Sequence, residues 1–178
     1  VHYGTVLALL PDDVQLRTNA INTLMEARAL DEALTVSNEG LARVPNHPQL
    51  LESRGRLQLA RGEHTQALVS FEQVLRQKPD DLHGLLGLGQ AQDGLQRWSD
   101  ALNTYEQLRA CHPDDPRGTH NQLLMLQRLG RHAEAQKLYQ ELPDSLRLSP
   151  AVKTAFAHLV LDQQDTGQAE TLYRELCQ

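Results

Sequence analysis

The chain has 178 residues, with 17 Lys or Arg against 23 Asp or Glu, so its formal net charge is −6 at pH 7. An acidic chain without a clustered basic face is not typical of nucleic-acid-binding proteins, because phosphate recognition depends on grouped Lys and Arg. No apolar run approaches the 18 or so residues that a membrane-spanning helix needs. The sequence therefore predicts neither nucleic-acid binding nor a membrane span.

The chain begins with a short apolar run at residues 6–10, followed by Pro-Asp-Asp at residues 11–13. No basic segment precedes the run and no small-residue cleavage site follows it, which argues against a signal peptide. Its Pro11 instead lies 34 residues before Pro45, which ends a later helical segment. We therefore expect residues 1–13 to be the tail of an earlier repeat, a second helix without its first.

Residues 48–81 show the pattern that the rest of the chain repeats. Two segments with apolar residues at helical spacing are separated by a turn at residues 61–63 and ended by Pro-Asp-Asp at residues 79–81. The alanine of the second segment recurs every 34 residues, as Ala33, Ala67, Ala101, Ala135 and Ala169. Four residues later stand Ser37, Phe71, Tyr105, Tyr139 and Tyr173. Helix–turn–helix units in one register predict an α-helical repeat array.

This spacing, with its helical alanines, aromatic residues and closing prolines, resembles the tetratricopeptide repeat (TPR) family over essentially the whole chain. The resemblance implies an all-α fold, a right-handed α-solenoid of stacked helix-turn-helix hairpins. After the tail at 1–13, the expected repeats are 14–47, 48–81, 82–115, 116–149 and a last one, 150–178, that is truncated. Because both ends look cut, we interpret the chain as a segment of a larger protein.

Glycines and prolines refine this prediction. Gly62 and Gly130 follow first helices, where a left-handed residue closes the last turn. Gly55 and Gly89 are expected where two helices approach closely. Pro143 removes an N–H donor within the second helix of the fourth repeat, so that helix should end early, near Leu142, with an irregular loop at 143–149.

The first repeat departs from the others at its second helix. Ser37 and Gly40 stand where later repeats have an aromatic and a branched aliphatic residue. Small residues leave contacts unfilled, so we expect looser packing there.

We find no catalytic constellation in the sequence, and we predict neither an enzyme nor a cofactor site. Cys111 and Cys177 lie two repeats apart, too far for a disulfide in a regular stack, so both are expected to be free thiols. Free thiols are typical of a reducing compartment such as the cytoplasm. Histidines recur on three successive first helices, but at different heights, which disfavours a shared metal ion; they are His83, His120 and His158.

In TPR proteins the first helices line a concave groove that takes an extended peptide or a helix of a partner. By register, the candidate groove residues are Arg56, Leu86, Gln90, Arg117, His120, Asn121, Leu124 and Arg128. The cluster in the fourth repeat is the most basic part of the chain, so we expect a ligand with carboxylates and an apolar side chain. The competing interpretation is that these arginines only pair with acidic neighbours.

Some TPR proteins hold the C-terminal carboxylate of heat-shock chaperones with Lys, Asn and Arg at fixed positions. The first equivalent set here is Thr18, Asn22, Ser53, His83 and Gly87, and no set along the chain is complete. Chaperone tails are therefore disfavoured as ligands. Two functions stay open: a protein-interaction scaffold, and the substrate-recognition segment of a multidomain enzyme, such as a transferase or hydroxylase, whose catalytic domain is absent.

Overall fold

A computed structural model describes residue 7, residues 9–163 and residues 166–176. Of the tail expected at 1–13, residues 1–6 and residue 8 lie outside the described residues. Cys177 also lies outside them. Between residues 14 and 176 the described chain forms α-helices and no strand, so the all-α prediction is confirmed. The elements are α1 (Val14–Glu26), α2 (Leu30–Arg43), α3 (Pro48–Ala60), α4 (His64–Gln77), α5 (Leu82–Gly94), α6 (Trp98–Cys111), α7 (Pro116–Arg128), α8 (His132–Glu141), α9 (Asp144–Arg147), α10 (Pro150–Asp162) and α11 (Thr166–Leu176).

Aspartates that follow the repeat prolines start three of these helices. The Asp13 carboxylate accepts a hydrogen bond from the Leu16 amide at 2.8 Å, and that of Asp81 accepts one from the Gly84 amide at 2.8 Å. Asp115 begins α7 in the same way. Each bond satisfies one backbone N–H group that has no partner within the helix, which fixes where the first turn begins.

The turns after α1, α3, α5 and α7 each contain a residue with positive φ, and these residues are also 34 apart. Gly62 and Gly130 have φ of 74° and 69°, which confirms the left-handed caps predicted for them. Arg28 and Gln96 occupy the equivalent turns with φ of 58° and 59°, although their side chains disfavour this conformation. The repeat geometry therefore imposes the left-handed conformation even where the sequence lacks glycine.

The helices divide into two compact units, Val1–Leu95 and Gln96–Gln178. In the first unit, α1 packs against α2 and α3, and α3 packs in turn against α4 and α5. Its fully buried side chains include Ile21, Leu50, Leu57 and Phe71. The first helices α1, α3 and α5 thus lie side by side in this unit.

Phe71 of α4 is fully buried and lies close to α3 and α5. Its ring fits against two glycines, because a Cβ added to Gly55 would lie 2.7 Å from the Phe71 Cζ atom and one added to Gly87 would lie 2.1 Å from it. The close approach predicted at Gly55 is confirmed. Gly87, which sequence analysis considered only as a clamp position, makes the tighter of these two contacts.

The loose packing expected in the first repeat is not found beside Gly40. Ser37 and Gly40 are buried, and the space beside Gly40 is taken by Arg17, whose side chain is 4% exposed. The Arg17 guanidinium donates hydrogen bonds to the Pro11 and Val36 carbonyl oxygens and lies 3.6 Å from the Glu39 carboxylate. A long buried cation therefore fills the space beside Gly40.

In the second unit, α7 packs against α6, α8 and α10, and α10 packs against α8, α9 and α11. The rings of Tyr139 and Phe156 stack with centroids 3.8 Å apart, joining α8 to α10. Helix α8 ends at Glu141, before Pro143. The irregular loop expected at 143–149 instead contains α9, a four-residue helix whose Leu146 is buried. A proline is compatible with the start of a helix, where its missing N–H costs nothing.

The positive-φ turns lead to a stability prediction. Gln96→Gly should raise the free energy of unfolding by about 0.5–1 kcal/mol, because relief of the left-handed penalty exceeds glycine's larger unfolded-state entropy. Gly62→Ala should lower it by about 1 kcal/mol for the converse reason. Urea unfolding followed by circular dichroism measures both changes. Shifts of the same sign for the two variants would contradict the assignment of strain to these turns.

Candidate functional site on the first helices

Helix α7 presents two different faces. Its buried face carries Leu123, Met125 and Leu126, which belong to the core of the second unit. The five candidate groove residues of α7 occur at intervals of three and four, which places them on one helical stripe. This set, named the α7 face, consists of Arg117, His120, Asn121, Leu124 and Arg128.

Side chains on the α7 face are accessible to different degrees. Arg117 and Arg128 are exposed, whereas His120, Asn121 and Leu124 are partly buried. Leu124 therefore offers apolar surface between two cationic residues. This arrangement can accept a ligand that combines an apolar side chain with an acidic group.

Hydrogen bonds already hold three members of the α7 face. The Arg117 Nε and Nη2 atoms donate to the Asp115 carboxylate at 2.9 and 2.7 Å. The Asn121 amide donates to the Arg117 carbonyl oxygen at 2.9 Å. The His120 Nδ1 atom lies 2.9 Å from the Ala151 carbonyl oxygen, to which it donates from α7 to α10. The α7 face is thus a preorganised surface rather than a set of loose side chains.

The Asp115–Arg117 pair bears directly on the competing interpretation. Arg117 does pair with an acidic neighbour, Asp115, which is the N-cap of its own helix. The Arg117 side chain is 46% exposed, so a ligand can still reach it. A carboxylate ligand would nevertheless have to share or replace Asp115.

Hydrogen bonding also perturbs the ionisation of this pair. The Arg117 guanidinium lowers the pKa of the Asp115 carboxyl below its ordinary value, and the Asp115 carboxylate raises the pKa of Arg117. Asp115 additionally accepts a hydrogen bond from the Arg117 backbone amide at 2.9 Å. The ionised carboxylate therefore serves both the helix cap and the arginine.

The remaining candidates lie in the first unit. The Arg56 Nη1 atom donates to the Asn22 side-chain oxygen at 3.4 Å, across one repeat interval from α3 to α1. Gln90 is exposed on α5. Leu86 is only 8% exposed, so it gives a ligand little apolar surface. Of the two candidate leucines, Leu86 and Leu124, only Leu124 is accessible enough to contact an apolar side chain of a ligand.

Among the described residues, the three recurring histidines of the first helices and Cys111 are at least partly accessible. His83 and His158 are exposed, and the His158 ring contacts Tyr173 with centroids 6.1 Å apart. Cys111 is an exposed free thiol. Among the described residues, no group of three or more His, Cys, Asp or Glu is placed to hold a metal ion. In the same part of the chain, no helix is long and apolar enough to cross a membrane.

The Asp115–Arg117 pair predicts a pH dependence. Because the pKa of Asp115 is lowered, the pair stabilises the fold above the unfolded pKa of about 3.9, and this contribution is lost as the pH falls through the folded pKa. Arg117→Gln should therefore cost about 0.5–1 kcal/mol near pH 7. The difference between parent and variant should shrink as the pH falls below about 4.

Urea unfolding of parent and variant at matched pH values measures this difference. Lys137→Gln is the control, because its ammonium lies 3.8 Å from Glu141 in an exposed pair away from α7. A cost for Arg117→Gln that stays constant from neutral to acidic pH would contradict a role for the ionised carboxylate.

Comparisons with known proteins agree with the fold. A crystal structure of a tetratricopeptide repeat protein from Parabacteroides merdae ATCC 43184 is 18% identical, with a TM-score of 0.83, and the match covers 98% of this chain and 69% of that one. MamA from Desulfovibrio magneticus RS-1 is 18% identical, with a TM-score of 0.77 and coverage of 93% and 94%. YrrB, described as a TPR protein with an unusual peptide-binding site, is 14% identical, with a TM-score of 0.72 and coverage of 99% and 91%. At these low sequence identities, the structural similarity shows a common fold and nothing further.

Sequence-family comparison gives the same result independently. Two family models, both described as tetratricopeptide repeat, match residues 18–82 and 58–119, so together they span more than half of the chain. No curated protein sequence matches. The fold class predicted from sequence, an all-α solenoid of TPR hairpins, is confirmed. The chain belongs to the tetratricopeptide repeat family.

Proposed function

We propose that the chain is a protein-interaction scaffold and that its α7 face binds an extended peptide or a helix of a partner protein. TPR proteins are in general scaffolds for protein–protein interaction, and family membership supports this broad role. The likeness to YrrB, described as having a peptide-binding site, supports a peptide as the class of ligand. The observation that carries the proposal is the one-sided stripe of cationic and polar residues around the half-buried Leu124.

The chemistry of the α7 face favours a ligand segment with an acidic group next to an apolar side chain. Arg117 presents a fork-shaped donor that can share its hydrogen bonds between Asp115 and an incoming carboxylate. Leu124 supplies the apolar contact. Because these groups are partly solvated and one is already paired, we expect moderate affinity rather than tight binding.

The α7 face can be tested by charge reversal. Arg117→Glu combined with Arg128→Glu should remove acidic interactors that the parent recovers from the native host, because the ligand carboxylates would meet like charges. Lys137→Glu on α8 is the matched control and should leave those interactors bound, because Lys137 is exposed on a different helix. Quantitative pulldown measures binding, after thermal melts have shown that the variants stay folded.

A different result of this pulldown would contradict the proposal. If the double variant keeps every interactor while Lys137→Glu loses them, the functional surface lies elsewhere and the assignment to the α7 face is wrong.

We also propose that heat-shock chaperone tails are not the ligand. The first clamp set lies wholly in the first unit, where Ser53 is 2% exposed and Gly87 has no side chain to offer. Peptides ending in the acidic chaperone tail should therefore bind no better than scrambled peptides in calorimetric titrations. Sub-micromolar binding that disappears when the terminal carboxylate is amidated would contradict this prediction.

A further inference from the structure

The early end of α8 leaves a cleft in the second unit. Helix α8 has ten residues, whereas α6 has fourteen, and the four-residue α9 replaces the missing turn. A cavity of about 340 Å³ lies between the end of α6 and the α8–α9 segment. This Pro143 cleft is lined by Glu106, Arg109, Ala110, Pro113, Asp114, Glu141, Leu142, Pro143 and Leu146.

Apolar residues form part of the lining of the Pro143 cleft. Leu142 and Leu146 are only 6% and 5% exposed, so most of the accessible apolar surface belongs to the exposed residues Pro113 and Pro143. Ala110, an exposed residue of α6, borders the cleft without a large side chain. The volume is at the lower end of the range for ligand sites, and it suits one or two side chains rather than a whole small molecule.

The polar lining of the Pro143 cleft is predominantly acidic. Its lining carries the carboxylates of Glu106, Asp114 and Glu141 and the guanidinium of Arg109. Glu141 also lies 3.8 Å from the exposed Lys137 ammonium, and Glu106 accepts a hydrogen bond from the Gln122 side chain at 3.3 Å. The cleft also lies at the carboxyl ends of α6 and α8, where the helix dipoles add partial negative charge. The negative charge and the apolar surface together suit a ligand in which a cationic side chain is adjacent to an aliphatic side chain.

We propose that the Pro143 cleft is a second docking site, which binds a partner-protein segment with a Lys or Arg beside an aliphatic side chain. The aliphatic group packs on the exposed lining residues Ala110, Pro113 and Pro143. The cation lies between the carboxylates of Asp114 and Glu141 at the rim. The chemistry is opposite to that proposed for the α7 face, so the two sites select different segments and this inference does not depend on the α7 proposal.

Fluorescence anisotropy with three labelled, end-capped peptides tests the ligand chemistry. They share Gly-Ser flanks and carry a centre of Leu-Arg-Leu, Leu-Glu-Leu or Gly-Arg-Gly. The Leu-Arg-Leu peptide should bind most tightly, because it alone has both the cation and the aliphatic groups. Equal binding of the Leu-Glu-Leu peptide, or no binding of any peptide, would overturn the proposal.

Variants of the protein then locate the site. Asp114→Lys combined with Glu141→Lys reverses the charge of the rim, and Ala110→Phe fills the cleft from an exposed position without altering the core. Each should weaken Leu-Arg-Leu binding at least about tenfold. Glu170→Lys is the control, because Glu170 is an exposed carboxylate on α11 outside the cleft. It should change the dissociation constant less than about twofold.

Three results would contradict the assignment to the Pro143 cleft. The first is unchanged binding by both cleft variants, and the second is an equal loss with Glu170→Lys, which would indicate unspecific attraction to an acidic chain. The third is self-association of the parent in analytical ultracentrifugation that Ala110→Phe abolishes, since a second copy would then be the occupant.

Discussion

Burial of one alanine in each second helix is the constraint on which the repeat depends. These five alanines, 34 residues apart, have no exposed surface, and they are Ala33, Ala67, Ala101, Ala135 and Ala169. A methyl group is small enough to let helices approach closely, and a larger side chain would have to displace a neighbour in a close-packed interior. Because each unit of such an array contacts chiefly its neighbours, this contact is made anew in every repeat.

Other positions of the repeat vary more than the buried alanine. Arg17 and Lys153 occupy the same repeat position, and each is buried against a glutamate of the following helix, Glu39 at 3.6 Å and Glu175 at 3.0 Å. The corresponding residue of the second repeat is the fully buried Leu51. A buried cation requires a partner because its desolvation is costly, and here the paired glutamates are supplied in register. The repeat therefore tolerates either chemistry at one position.

The functional proposals use two kinds of surface that this architecture leaves available. The α7 face is a regular feature, produced by helical periodicity and fixed by Asp115, His120 and Asn121. The Pro143 cleft is an irregular feature, produced where one helix ends a turn early. One surface is cationic and the other is largely acidic, so under these two proposals the sites would select different partner segments.

Sequence alone determined the all-α fold, the helical register and the left-handed turns at Gly62 and Gly130, because these depend on local periodicity and backbone preference. It also identified the stripe of α7, since residues three and four apart share a helix face. Only the tertiary structure decided which polar groups were already paired, as for Arg117 with Asp115. It also decided that Arg17 fills the space beside Gly40 and that α9 restores the turn lost at Pro143. These outcomes depend on side-chain volumes and on distances between residues that are far apart in sequence or that have several possible partners. A repeat pattern specifies neither.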